Sequence, residues 1–148
     1  MVDLSTRFVP PVHWQGPIRI AYHGTLHVDS LGTFPVCPGS QTLYKITPSG
    51  QVQAVASGVT AFLGVAFDAY GTLYALETDT VAGFPGPDAA GSGQVVRVND
   101  DGSLSTIATD LTFPTTLTVG PDGALYVATV GFGVPVPGAG QILRITLP

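Results

Sequence analysis

The sequence predicts an all-β fold made of three four-stranded β-propeller blades, which amounts to half of a propeller. The first observation is a recurring hairpin signal, in which Gly24, Gly71 and Gly123 open the segments GTLHV, GTLYA and GALYV. Glycine accepts the positive φ that tight hairpin turns demand, and each glycine stands between two apolar runs. These glycines are 47 and 52 residues apart.

The second observation is that a later strand of each unit also recurs, as TLYKIT, QVVRVN and QILRIT, which aligns Lys45, Arg97 and Arg144. Periods of about 40–50 residues with four short strands are typical of propeller blades. We interpret the recurring cation as a structural feature of the repeat. The chain is predicted to be a single domain, 1–148, with blade 1 at 11–57, blade 2 at 58–109, and blade 3 at 110–148 plus an N-terminal strand at 4–10.

The third observation is the position of that N-terminal strand. Residues 4–10 correspond to the outer strands at 52–57 and 104–109, whereas blade 3 has no outer strand of its own. An unpaired sheet edge is a liability, and closed propellers have four to eight blades. We therefore expect a homodimer that closes a six-bladed ring by exchange of N-terminal strands, the rival interpretation being a piece of a longer protein. The closure residues would be Ser5, Thr6, Arg7, Phe8, Val9, Ile142, Leu143, Arg144 and Ile145.

The composition excludes several functional classes. Charged residues make up 10% of the chain and the net charge is −5, so no nucleic-acid surface is expected. The only cysteine, Cys37, can form neither an internal disulfide nor a cysteine-based metal site. No apolar run approaches the ~20 residues of a membrane span, and the N-terminus carries no signal-peptide pattern. The sequence therefore does not assign the protein to a cellular compartment.

Four segments resemble the ScyD/ScyE family of scytonemin gene clusters, which is related to NHL-repeat propellers. They are GVTAFLGVAFDAYGTLYALE, VVRVNDDGSLSTIATDLTFPT, VGPDGALYVATVGFG and VPGAGQILRI. The resemblance implies a propeller fold and export from the cell, but no agreed activity. This chain departs from the family in its length, about half of the usual one, in lacking an export signal, and in blade 1, where His23-Gly24 replaces the Asp-Gly turn.

The long loops of the three blades are predicted to share one rim, together with the short connections between blades. Proline and glycine hold such loops in stiff shapes, which lowers the entropy cost of binding. Apolar rings recur in these loops, and they form either a ligand or partner surface or plugs over their own blades. The residues concerned are Phe34, Phe84, Phe132, Trp14, His13, Phe62 and Phe113.

Catalytic residues are not predicted, because no nucleophile motif is present and the three histidines are scattered. Asp29, Glu77 and Asp79 follow second strands and are weak candidates for a divalent metal such as calcium, as in gluconolactonase-type propellers. No carboxylate recurs at one position of the repeat. We therefore expect a non-enzymatic scaffold or binding protein without a cofactor, whose partner is unknown. The alternatives are a metal-dependent lactonase-like hydrolase and a purely structural assembly subunit.

Overall fold

The structure is a computed structural model that describes residues 18–20, 24–28, 36–82, 89–131 and 138–147. These residues form strands and turns, and none of them lies in a helix that could span a membrane. The strands, in chain order, are β1 Ile18–Ile20, β2 Leu26–Val28, β3 Gln41–Ile46, β4 Val52–Val59, β5 Phe62–Phe67, β6 Leu73–Glu77, β7 Gly93–Val98, β8 Leu104–Leu111, β9 Thr116–Val119, β10 Leu125–Thr129 and β11 Gln141–Ile145.

The strands are grouped into three antiparallel sheets, each a simple meander. The first sheet has the order β1-β2-β3-β4, the second β5-β6-β7-β8, and the third β9-β10-β11. Each sheet corresponds to one sequence repeat, so the structure confirms the prediction of an all-β chain built from three propeller-type blades. Within the described residues, β11 is hydrogen-bonded to β10 alone and forms an edge of the third sheet.

The tight hairpins have the backbone conformation that the repeat predicted. Gly71 and Gly123 lie in the left-handed region, with φ of 85° and 76°, where residues with a side chain are strained. In the first of these turns the Asp68 carboxylate accepts hydrogen bonds from the backbone N–H groups of Tyr70 (2.9 Å) and Thr72 (2.8 Å). A side-chain acceptor of this kind satisfies turn donors that the strands leave unpaired. The turn chemistry therefore fixes the register of β5 against β6.

Two apolar clusters hold the sheets against one another. The cluster between the first and second sheets contains buried side chains of both, namely Leu43, Ala56, Val59, Phe62, Leu73, Ala75, Val96 and Val98. The cluster between the second and third sheets contains Tyr74, Leu76, Val95, Leu111, Leu117, Leu125 and Val127. Each fully buried aliphatic side chain contributes about 1.5–3 kcal/mol. Face-to-face packing of successive sheets is the arrangement expected for neighbouring propeller blades.

Candidate functional site

The described parts of the connections between blades and of the long loops meet at one end of the sheets, which we call the loop rim. The connection after β4 and the loop after β6 are joined by a hydrogen bond from Thr78 N–H to the Ala61 carbonyl, at 3.0 Å. In the third sheet the equivalent donor, Val130 N–H, donates at 2.9 Å to the Thr112 carbonyl, one residue before the position equivalent to Ala61. The repeat therefore fixes its loops with main-chain bonds, which gives the rim a stiff base.

Backbone conformation at this rim also repeats. Ala61 and Phe113 occupy the same position of successive repeats and have φ values of 41° and 42°. Left-handed backbone is costly for residues with a Cβ atom, so surrounding contacts must hold it in place. Both side chains belong to a third apolar cluster, which also includes Val36, Ala89 and Val81 from the long loops. The loops and connections therefore pack as one layer.

Glu77, at the end of β6, is the central polar residue of the rim. Its side chain is 2% exposed, and its two carboxylate oxygens accept hydrogen bonds from the backbone N–H of Thr60 and the side-chain amide of Gln94. Burial raises the pKa of this carboxyl, and the bonds from Gln94 and Thr60 oppose that rise. The carboxylate thus connects the β4–β5 connection, β6 and β7.

Asp79 lies two residues further along and performs a similar task in the long loop. One of its carboxylate oxygens accepts hydrogen bonds from Val81 N–H at 2.8 Å and from the Ser92 hydroxyl at 2.7 Å. Thr80 strengthens the same link, because its hydroxyl donates to the Ser92 carbonyl at 2.7 Å. The second oxygen of Asp79 is buried and has no hydrogen-bond partner within the described part of the chain. The two ends of the loop between β6 and β7 are thereby joined.

These carboxylates do not fit a divalent metal site. Calcium takes six to eight oxygen ligands and magnesium keeps several waters, so either ion needs open carboxylates. Both oxygens of Glu77 are engaged in hydrogen bonds, and Asp79 is fully buried. Across the part of the chain that the structure describes, no group of three His, Cys, Asp or Glu side chains is placed to share an ion. The third candidate, Asp29, lies outside the described residues.

The residues predicted for a binding rim divide into two sets. Phe62 opens β5 and is fully buried in the first interblade cluster, while Phe113 is 8% exposed within the loop layer. These two rings therefore contribute to packing and do not present a free surface. The other five predicted residues, His13, Trp14, Phe34, Phe84 and Phe132, lie outside the described residues.

The outer face of the third sheet differs from its counterparts in the other two. The equivalent residues Leu43 and Val95 are both fully buried, because each packs against the next sheet. Ile142, which occupies the same position in β11, is 70% exposed. We name this face the open flank, and its residues, defined by strand register, are Thr116, Thr118, Tyr126, Ala128, Ile142 and Arg144. Of the predicted closure residues, Ile142 to Ile145 lie in β11, and Ser5 to Val9 lie outside the described residues.

The sequence did not identify the partners that hold the buried carboxylates. These partners are Thr60, Ser92 and Gln94. Each is distant in sequence from the carboxylate that it binds, so the fold alone brings the two together. One available signal was that each stands beside a strand end of the same repeat that carries Glu77.

The cation that recurs in each repeat has different partners in the three sheets. In the third sheet Arg144 forms an ion pair with Asp122 at 2.8 Å. Among the described residues, Lys45 and Arg97 have no such carboxylate partner.

In sequence, neither a family model nor a curated protein matches this chain. In structure, it is similar to a gluconolactonase from Xanthomonas campestris, with a TM-score of 0.65 and 18% identity over 91% of this chain and 44% of that one. It is also similar to a candidate gluconolactonase, with a TM-score of 0.54 and 16% identity over 91% of this chain and 49% of that one. A third similar structure is a luciferin-regenerating enzyme, with a TM-score of 0.53 and 16% identity over 78% of this chain and 38% of that one. The shared feature is a six-bladed propeller-like fold, of which this chain spans less than half.

Proposed function

We propose that this chain is a non-enzymatic propeller scaffold that assembles with a second copy and presents its stiff loop rim to a partner. The observation that carries the proposal is the use of Glu77 and Asp79, whose carboxylates hold the rim loops together. A hydrolytic site needs accessible acids, bases or metal ligands, and these two groups are buried. The rim is thus built for rigidity, which favours binding without chemistry.

Assembly with a second copy is supported by the open flank. Inner blades of a propeller are covered on both faces. The equivalent residues Val95 and Ile142 are 0% and 70% exposed, so the outer face of the third sheet is the less covered of the two. Two copies of this three-blade unit would supply six blades, the number in the propeller-like folds of its structural neighbours. The single domain would then carry the predicted blades 11–57, 58–109 and 110–148, the last completed by residues 4–10 of the second copy.

Disulfide trapping tests whether the N-terminal strand of one copy pairs with β11 of the other, and in which register. In the repeat, Val9 corresponds to Ala56 and Ala108, which pair with Leu43 and Val95. A chain carrying Val9→Cys and Ile142→Cys, with Cys37→Ser, should therefore oxidise to covalent dimers on a non-reducing gel. The control pair, Val9→Cys with Tyr70→Cys, places the second thiol on an exposed hairpin turn and should stay monomeric. A disulfide formed within one chain, or equal dimer yields in both variants, would overturn the proposed exchange.

A lactonase-like hydrolase is the second candidate, because Asp79 keeps one buried oxygen without a partner and two of the similar structures are of the gluconolactonase type. The scaffold proposal predicts no turnover of a panel of lactones and esters, with or without added Ca²⁺, Mn²⁺ or Zn²⁺. Metal-dependent turnover that Asp79→Asn abolishes, with the fold retained by circular dichroism, would establish the hydrolase instead.

A further inference from the structure

We propose that a cleft at the hairpin side of the molecule, between the first and second sheets, binds a carboxylate anion. The cleft has a volume of about 740 Å³ and lies at the opposite edge from the loop rim. His27 and Lys45 from the first sheet line it, together with Arg97, Asn99 and Asp100 from the second. It is therefore independent of the scaffold function proposed above.

Among the described residues, Lys45 and Arg97 have no carboxylate partner such as their equivalent in the third sheet has. There, Asp122 accepts hydrogen bonds from Arg144 Nε (2.9 Å) and from the Tyr126 hydroxyl (3.1 Å), and also pairs with the Arg144 terminal nitrogen at 2.8 Å. Tyr70 occupies the position of Asp122 in the second repeat and is 93% exposed. In the second sheet the tyrosine equivalent to Tyr126 is Tyr74, and its hydroxyl donates to Asp68 at 3.3 Å. Among the described residues Asp68 forms no ion pair with Arg97, so the third sheet shows that a carboxylate fits beside this cation.

Arg97 is held in a fixed orientation at the cleft. Its Nε donates to the side-chain oxygen of Asn99 at 3.0 Å. The amide nitrogen of Asn99 in turn donates to the hydroxyls of Ser103 and Ser105, both at 2.9 Å. Because Nε is used in this way, the two terminal nitrogens of the guanidinium are left for a bidentate acceptor. An oriented guanidinium loses less entropy on binding than a mobile one.

His27 supplies the independent observation. The residue is 7% exposed and lines the cleft, yet its Nδ1 has no hydrogen-bond partner among the residues that the structure describes. The ring packs edge-on against Phe67, at 4.9 Å between ring centroids, and stands directly opposite Lys45 in the strand register. Burial and the neighbouring Lys45 ammonium lower the pKa of His27, which favours the neutral ring. A neutral imidazole that carries its proton on Nδ1 can donate to a carboxylate oxygen.

The charges of the cleft favour a small anion. Among the residues that line the cleft, Lys45 and Arg97 contribute two positive charges and the exposed Asp100 one negative charge, which leaves a net charge of +1. The Asp68 carboxylate lies beside the cleft, where it accepts from the N–H groups of Tyr70 and Thr72. The rest of the chain offers little competition, because only three of its five Lys and Arg residues lie outside the cleft lining. The carboxylate can belong to a free organic acid or to an acidic side chain of another protein, and the probes below separate these sources.

The test is an NMR titration of ¹⁵N-labelled protein at constant ionic strength, with succinate and a blocked tetraglutamate peptide as separate probes. We expect saturable shifts of the Arg97 Nε–H signal and the Tyr70 and Asn99 amides, and the tighter probe identifies the source. Lys45→Met, Arg97→Gln and His27→Phe should each weaken binding about fivefold. The matched control is Arg144→Gln, whose cation already has a carboxylate, and it should bind within about twofold of the unaltered chain.

Three results would overturn the proposal. The first is the lack of saturable shifts with either probe, measured against sodium chloride at equal ionic strength. The second is an equal loss of affinity in Arg144→Gln, because this would indicate a general charge effect. The third is binding of inorganic phosphate without binding of either carboxylate probe.

Discussion

Replacing Glu77 tests whether the buried carboxylate holds the loop rim together. Glu77→Ala removes both acceptors at once and leaves the Thr60 N–H and the Gln94 amide without partners in a buried site. Each buried donor left unsatisfied costs about 1–3 kcal/mol. The removal of a carboxylate whose pKa is raised by burial returns part of this cost. We therefore expect the free energy of unfolding to fall by about 2–4 kcal/mol.

Glu77→Gln is the matched variant, because it keeps the shape and one acceptor oxygen while removing the charge. The Gln94 amide can turn over to accept from the new NH₂ group, so the loss should stay below about 1.5 kcal/mol. The variant also tests the pKa. Since the folded chain holds the Glu77 proton above the ordinary value of 4.5, this residue makes stability fall as pH rises from that value through the raised pKa. Glu77→Gln should remove this component of the pH dependence.

Guanidinium unfolding at a fixed protein concentration measures these differences, since a common m-value makes the midpoints comparable. Fixed concentration is needed because self-association would stabilise the folded state. A loss below about 0.5 kcal/mol in Glu77→Ala would refute the claim that the carboxylate satisfies two buried donors. An unchanged pH dependence in Glu77→Gln would refute the raised pKa.

Two further substitutions test the backbone of the repeat, again by guanidinium unfolding. Gly93→Ala would place a Cβ atom 2.6 Å from the Pro114 ring and should cost at least about 1–3 kcal/mol, whereas Gly140→Ala, with nothing within 4 Å, should change stability by less than about 0.5 kcal/mol. Equal effects would contradict the close contact between β7 and the β8–β9 connection. Asp110→Gly should leave stability unchanged or raise it by up to about 1 kcal/mol, because Asp110 has a φ of 61° and the second repeat has Gly58 there. A loss above about 1 kcal/mol would show that the left-handed backbone is not strained.

The repeat and its turns were accessible from sequence because they depend on local chemistry. Glycine at a fixed offset, an adjacent apolar run and a period near 50 residues each specify a hairpin without knowledge of the rest of the chain. The left-handed glycines Gly71 and Gly123 and the three meander sheets confirm this part. The fold class could therefore be derived from residues alone.

The site depends on contacts between repeats and was less accessible. Glu77 stands at a position where the third repeat has Thr129, so no recurring pattern marked it as a buried acceptor. Phe62 was placed among rim residues because it follows a short connection, but it begins β5 and alternation turns its ring into the interblade core. The cleft between Lys45 and Arg97 exists only because two separate sheets pack at the hairpin edge. Such pairings need the fold before they can be seen.

Light scattering coupled to size-exclusion chromatography tests the central claim most directly, since it gives the mass in solution without a reference shape. The unaltered chain has a mass of 15.2 kDa, so two copies give about 30 kDa. We predict the larger mass for the unaltered chain and 15.2 kDa for Ile142→Asp, which places a charge on the open flank. The account would be contradicted if the unaltered chain stayed at 15.2 kDa with its β structure intact. It would also be contradicted if the Ile142→Asp variant kept the doubled mass.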